Sequence, residues 1–354
     1  MPRLPAFAAA MLARRLLGST VGGWLLVSAS LAGYVLFAQL FVASIINEQG
    51  RAFDAHSYWL AGQRIWDGSP LYRAQTIHDL DAYRYPPLFA QLLALPALLP
   101  EPVFTALWRL VCFAALRYLA GSWRNVGFWL LFAPVVQEMT AANVTLPVLA
   151  LSLLALRGRT GGIWAAALLK FGPALVVPYL LCTTPSYRRR LIIGAGVTAA
   201  AVGISVLLSP VAWGDYLQSM RLQSATVNQG NHLISLLPST TLDFVMRLAI
   251  AVVLLVLAIR RRDARLTLLV SGLAVPTLWS ARLCALLTVF SIGPQRSVRR
   301  VAATVGSIGA IQIALFSSGT AALLFGAVGA ISFALVQLWP GQRETPEDAP
   351  GVSG

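Results

Sequence analysis

The chain has 354 residues, 57% of them hydrophobic and only 11% charged, with a mean hydropathy of +0.72. Soluble domains carry about a quarter charged residues, so this composition excludes an ordinary soluble enzyme and predicts an all-α, polytopic helical membrane protein. The net charge of +14 does not mark a nucleic-acid partner, because the arginines gather at the ends of apolar runs: Arg14 and Arg15, Arg157 and Arg159, Arg188 to Arg190, Arg260 to Arg265 and Arg296 to Arg300. That is the positive-inside pattern of short cytoplasmic loops, and it places residues 1–20 in the cytoplasm.

A bilayer core about 30 Å thick needs roughly 20 apolar residues per helical crossing, and the chain supports about ten crossings or partial crossings. The first run, Val21 to Ile46, is too long for a signal-peptide core and lacks a small-residue cleavage site, so it reads as a retained span. The connection after it, residues 47–86, then faces outward. It begins with a segment in which Phe53, Tyr58, Leu60, Ala61 and Ile65 have helical spacing, which predicts an amphipathic helix at the membrane interface.

Leu88 to Leu99 and Val103 to Ala120 follow, divided by the helix-breaking Pro100-Glu101-Pro102. Val126 to Met139 and Asn143 to Leu156 form a second pair across the turn Glu138 to Asn143. Gly161 to Cys182 is interrupted at Gly172-Pro173, and Leu191 to Leu208 comes next. Such short, interrupted segments predict broken helices around an internal cavity, because irregular backbone at membrane depth needs protein or water to satisfy it. A second polar connection, residues 210–240, carries Trp213, Asp215, Tyr216, Asn228, Asn231 and His232, and its arginine flanks place it outside. Leu266 to Ile292, with Pro276 near its middle, reads as a kinked hairpin. Val301 to Phe316 and Ala321 to Leu338 close an integral-membrane domain of residues 21–338, and the tail, residues 339–354, has a disordered composition.

Asp54 lies in the predicted interfacial helix. It is either a solvated charge or helix cap, or a general base whose pKa an apolar surface raises toward useful basicity. Lys170 is the only lysine among 27 basic residues and sits within an apolar segment. It either snorkels to the interface or marks a functional cavity, where a phosphate ligand would offset the cost of burying a cation. Arg282, near the turn of the kinked hairpin, poses the same choice. Gln137, Asn143 and Asn231 are suited both to sugar hydroxyls and to capping helix ends. Asp79-Leu80-Asp81 is like the acidic pair by which many sugar transferases hold a metal and a nucleotide diphosphate, but no glycine-rich phosphate loop accompanies it. Cys112, Cys182 and Cys284 lie in or beside apolar segments without metal-ligand spacing. With no HExxH, no CxxC pair and no nucleophile elbow, hydrolases and metalloenzymes of the usual kinds are disfavoured, and neither a metal nor a cofactor is expected.

Several of these segments, in order, resemble glycosyltransferase family 87, polytopic enzymes of the C-type glycosyltransferase superfamily. FDAHSYWLAGQRIWDGSPLY is similar to the family's acidic segment after the first span, and YRYPPLFAQLLALP to the Tyr-Pro-Pro start of its next apolar run. QEMTAAN, LLKFGPALVVPYLL, LLSPVAWGDYL and GNHLISLLP match later family segments, so that the resemblance covers roughly residues 20 to 295. It implies a C-type fold and a polyprenyl-phosphate sugar donor, with mannose the expected sugar, and a lipid-linked or cell-envelope glycan as acceptor. Asp54 would be the counterpart of the catalytic aspartate. Lys170 and Arg282 would face the donor phosphate, and Arg51, His56, Tyr85, Gln137, Asn143, Asn231 and His232 would be the further substrate contacts.

The segment PTLWSARLCALL departs from the family pattern: it holds Arg282 where related enzymes carry a histidine-containing turn, and arginine binds phosphate but does not shuttle protons at neutral pH. The resemblance implies a multi-pass enzyme of a bacterial cytoplasmic membrane, in contact with membrane lipids, whose active site faces outward. An arabinofuranosyl donor, a transporter or flippase for lipid-linked saccharide, and a non-catalytic scaffold are the rival expectations. The absence of internal repeats speaks against transport.

Overall fold

The computed structural model describes residues 52–72, 82–130, 132–170, 172–226, 240–273 and 284, all within one compact unit, Met1–Pro294. The expected first span, the Asp79-Asp81 pair, Arg51, Asn231, His232, Arg282, the two last spans and the tail lie outside the described residues. The described part is helical and contains no strand. Its elements are α1 (Phe53–Asp67), α2 (Pro87–Leu93), α3 (Glu101–Ala120), α4 (Trp123–Trp129), α5 (Ala133–Ala141), α6 (Thr145–Leu156), α7 (Gly161–Leu169), α8 (Val177–Thr183), α9 (Arg188–Leu208), α10 (Pro210–Thr226), α11 (Thr240–Arg261) and α12 (Ala264–Leu273), with short 3₁₀ turns at Pro96–Leu98, Gly172–Val176 and Pro185–Tyr187.

Helices α3 and Pro185–Leu208, which is α9 with the turn before it, are long and apolar enough to cross a membrane. The bent pair α5 and α6 makes a third candidate if it is one broken span. These apolar helices mark a membrane protein. The kink between α5 and α6 is 110°, and it is built by a Schellman-type closure in which the amides of Ala142 and Asn143 both return to the Glu138 carbonyl. Ala142 adopts the left-handed conformation there, φ 54° and ψ 50°, although it is not glycine. That conformation costs a non-glycine residue roughly 1 kcal/mol, and surrounding contacts hold it: Ala142 is buried, and its carbonyl accepts from Trp108 Nε1 at 2.8 Å.

Helix α1 starts with Asp54 in its first turn, where a carboxylate complements the helix dipole, and stops at Gly68 in the left-handed region. It does not present the apolar stripe that its spacing predicts. Phe53, Leu60 and Ile65 stay partly exposed, and the buried face is Ala55, Tyr58, Ala61 and Gly62, together with His56, Ser57 and Arg64. The reason is close packing on the segment after α2. A Cβ on Gly62 would come within 2.4 Å of the Ala97 Cβ, so only glycine lets the two backbones approach. The prolines at 96 and 100 break the helix and leave carbonyls without intrahelical donors. Side chains of α1 take these up: Trp66 Nε1 donates to Ala94 O at 2.7 Å, Trp59 Nε1 to Leu99 O at 2.9 Å, and Gln63 Nε2 to Ala97 O. Helix α1 is thereby fixed along its length.

Two further differences from the predicted organisation concern later elements. The first half of the connection 210–240 is helical as α10, and the apolar helix α11 lies between the basic clusters at residues 188–190 and 260–262, in a stretch that the reading in chain order passes over.

Candidate functional site

An aromatic floor comes first. Tyr58, one helical turn after Asp54, meets Tyr85, Phe89 and Trp108 edge-on, with ring centroids 5.1, 5.3 and 5.5 Å away. Such tilted ring pairs favour each other through edge-to-face electrostatics, and Tyr58, Tyr85 and Phe89 form one buried cluster with Phe104, Val144 and Val148, against which the partly buried Trp108 packs. The polar ends of this cluster converge. Tyr58 donates its hydroxyl hydrogen to the Tyr85 oxygen at 2.9 Å and accepts from the Val144 amide at 3.3 Å, which ties α1 to the α5–α6 kink.

At that kink stands Asn143. Its Nδ2 donates to Asp54 Oδ2 at 2.8 Å. On its other side, Asn143 Oδ1 accepts from Lys170 Nζ at 3.1 Å, from the Thr145 amide and hydroxyl at 3.1 Å each, and from the Tyr85 hydroxyl at 3.4 Å. Lys170 Nζ also donates to Thr145 Oγ1 at 2.8 Å and lies 5.5 Å from the centre of the Tyr85 ring, a cation–π distance. Lys170 reaches this position because α7 ends at Leu169 and Lys170 itself is extended, φ −149° and ψ 130°. The break thus falls two residues before the Gly172-Pro173 at which it is predicted.

Asp54 is partly exposed. Burial nevertheless pushes its carboxyl above the usual carboxylate range, against the opposing pull of the Asn143 hydrogen bond and of the Lys170 and Arg84 charges. Its second oxygen, Oδ1, takes no hydrogen bond from a described residue. A carboxylate with raised basicity and one oxygen held can accept a proton from a hydroxyl. The ammonium on the far side of the same amide can hold an anion.

The structure therefore brings together four of the residues singled out from the sequence: Asp54, Lys170, Asn143 and Tyr85. His56 is turned elsewhere. It is buried, its Nδ1 lies 2.7 Å from Glu101 Oε1, and its ring stacks on Trp59 at 6.2 Å, so that it pins α1 to the start of α3. Gln137 is partly exposed on α5 and takes no part in the Asn143 contacts. Cys284, two positions after Arg282, is buried within electrostatic reach of Lys170 and Glu138. Tyr58, Thr145 and Arg84 join the site without being among the residues expected there. Each had a local signal: Tyr58 is one turn from Asp54, Thr145 two residues from Asn143, and Arg84 next to Tyr85. No group of acidic, histidine or cysteine side chains among the described residues is arranged to hold a metal ion.

The sequence model of glycosyltransferase family 87 matches residues 83–291, more than half of the chain. The match contains Tyr85, Asn143, Lys170 and Arg282 and begins after α1, so Asp54 lies before it. No curated protein and no solved structure matches the chain.

Proposed function

The chain belongs to glycosyltransferase family 87, and on that premise we propose that this glycosyltransferase moves mannose from a polyprenyl-phosphate donor to a lipid-linked or cell-envelope glycan, at the outer face of the cytoplasmic membrane. The observation that carries the reading is the Asp54–Asn143–Lys170 arrangement, a carboxylate and an ammonium joined through one amide. In the proposed step Asp54 Oδ1 takes the proton of the acceptor hydroxyl while that oxygen forms a bond to the anomeric carbon. The bond from the anomeric carbon to the phosphate oxygen breaks, and its electron pair leaves with the polyprenyl phosphate. Lys170 stabilises the negative charge that collects on the leaving phosphate, and Arg282 is proposed as a second cation for it. One base suffices for a single displacement, so the configuration at the anomeric carbon inverts. His56, on this reading, supports α1 rather than sugar, and Tyr85 forms the floor beneath Lys170.

The direct test uses membranes of the native host containing the full-length chain and supplied with radiolabelled polyprenyl-phosphate mannose. Label should pass into a glycan with the wild-type chain and should not with Asp54→Asn at equal protein level. Substantial transfer by Asp54→Asn would remove the base from the scheme. Transfer from polyprenyl-phosphate arabinofuranose but not from the mannose donor would instead correct the sugar.

A further inference from the structure

A base and a phosphate-binding cation in one small site present a conflict. Left to themselves, a carboxylate and an ammonium a few ångströms apart close into an ion pair. That would lower the carboxylate's basicity by one to three pKa units and commit the cation to the protein instead of the substrate. No direct ion pair joins Asp54 and Lys170 here, because the Asn143 amide stands between them. We infer that Asn143 is a positioning residue that spaces the base from the cation and fixes the orientation of each, an inference that rests on the roles proposed above for Asp54 and Lys170.

The amide can serve in only one orientation. Four donors, from Lys170, Tyr85 and twice from Thr145, surround Oδ1, and one acceptor, Asp54 Oδ2, faces Nδ2. Turned over, the amide would set its NH₂ against an ammonium, a backbone N–H and two hydroxyls, and its oxygen against a carboxylate. Every one of the existing contacts would lose its complement or have to reorganise. The backbone of Asn143 is held as tightly as its side chain. Its amide donates to Glu138 O at 3.0 Å, its carbonyl accepts from Cys112 Sγ at 3.3 Å, and the left-handed Ala142 immediately before it sets its direction at the kink. A strained residue retained beside a polar hub is the kind of cost that a functional site sustains.

Two consequences follow for the reaction. Asp54 has Oδ2 occupied, so the same oxygen, Oδ1, is always the one presented to the acceptor. Lys170 directs its ammonium at two neutral oxygens, Asn143 Oδ1 and Thr145 Oγ1, and not at the Asp54 carboxylate. Among the described residues, the groups that face Asp54 are the Asn143 amide, Lys170 after α7 and Arg84 before α2, with Tyr58 and Tyr85 beneath the site and the Cys112 thiol of α3 within electrostatic reach.

Asn143→Asp is the diagnostic substitution, because it preserves size and shape while removing the donor to Asp54. With the full-length chain and radiolabelled polyprenyl-phosphate mannose, Asn143→Asp should transfer about 100-fold more slowly at neutral pH or worse, the scale of losing one aimed hydrogen bond in an active site. The acid limb of its pH–rate profile should move up by about one to two pH units, the worth of a hydrogen bond to a charged group plus the added like charge. The exchange variant D54N/N143D, which restores one donor and one acceptor across the pair, should recover the thermal midpoint lost in Asn143→Asp and still show no transfer. A rate and acid limb like those of the wild type in Asn143→Asp, with Asp54→Asn inactive, would overturn the positioning role alone. Failure of the exchange variant to recover stability would count against it too. Transfer by Asp54→Asn would overturn the underlying base assignment instead, so the two failures are told apart.

Discussion

Helix α1 buries His56, Ser57 and Arg64 beside Tyr58 and Ala61, whereas α9 leaves Ile192, Ile193, Val197, Ile204 and Leu207 exposed and buries only Leu191 and Ser205. Soluble proteins sort side chains the opposite way. In a protein surrounded by lipid the outward face needs no polarity, and the interior is where hydrogen bonds can be paired and protected. The contrast separates two kinds of sequence information. Apolar composition reports where a helix meets lipid, and polar residues amid apolar ones report where the protein turns inward to do chemistry. Substitutions on the two sides of this divide should differ by orders of magnitude.

The largest effect should come from the inward side. Lys170→Met keeps much of the length and packing of the side chain and removes the ammonium together with its bonds to Asn143 and Thr145. Transfer from polyprenyl-phosphate mannose should fall by about 100- to 1,000-fold, the usual cost of removing one group that stabilises developing charge. Lys170→Arg should recover only part of it, because a planar guanidinium cannot reproduce the compact contact with two neutral oxygens. Equal rates in Lys170→Met and wild type, measured at saturating donor, would show that this half-buried cation is a matter of folding only and that the inward side of the comparison is not where the chemistry is.

The second effect is on pH. Because burial raises the Asp54 carboxyl, the folded chain holds this proton at pH values where the unfolded chain, with an ordinary carboxylate near 4, has released it. Between those two pKa values the folded state binds more protons, so the Asp54 contribution to stability falls as pH rises and returns as pH falls through the folded value. Activity runs the other way, since the base must be ionised. Transfer should therefore decline on acidification at a pH above the normal carboxylate range, while the thermal midpoint does not decline on this residue's account. Asp54→Asn should be at least as stable as wild type near neutrality. An acid limb near pH 4, or a clear loss of thermal stability in Asp54→Asn, would contradict the buried, raised carboxyl.

What was legible in the sequence follows the same divide. Lys170 and Asp54 stand out because a charge in an apolar context carries a solvation cost that must be met, and the structure places them on one amide. Asn143 was visible only as a choice between capping and sugar binding, since its role depends on the kink and on a left-handed alanine that no local preference indicates. For Tyr58 and Thr145 the local signal is proximity to Asp54 and Asn143, while the bonds from Tyr58 to Tyr85 and from Lys170 to Thr145 span 27 and 25 positions of the chain and have no local signature. The helix breaks at Lys170 and not at the predicted Gly172-Pro173 for a related reason. Proline chemistry is a local signal, but the hydrogen bonds that draw Lys170 out of α7 are tertiary. Helix α10 carries little helical signal because aromatic and polar residues dilute its apolar character, although Tyr216 is buried and packs 5.7 Å from Tyr72.

The smallest effects should distinguish the two faces of one helix. Gly194 and Gly196 are two positions apart on α9. A Cβ on Gly194 would fall 2.3 Å from Trp164 Cδ1 and 2.5 Å from its Nε1, while a Cβ on Gly196 would meet nothing within 4 Å. Helix propensity favours alanine over glycine by up to about 1 kcal/mol at either position, so the environments decide the sign. Gly194→Ala must push the indole away from α9, and overpacking of this kind costs about 1 to 3 kcal/mol, enough to reverse the gain in propensity. Gly196→Ala has only open space to fill and should leave the thermal midpoint unchanged or raised, with transfer within about twofold of wild type. Equal losses in the two variants would mean that another surface covers the Gly196 side of α9, and the outward half of the comparison would then need to be redrawn around that contact.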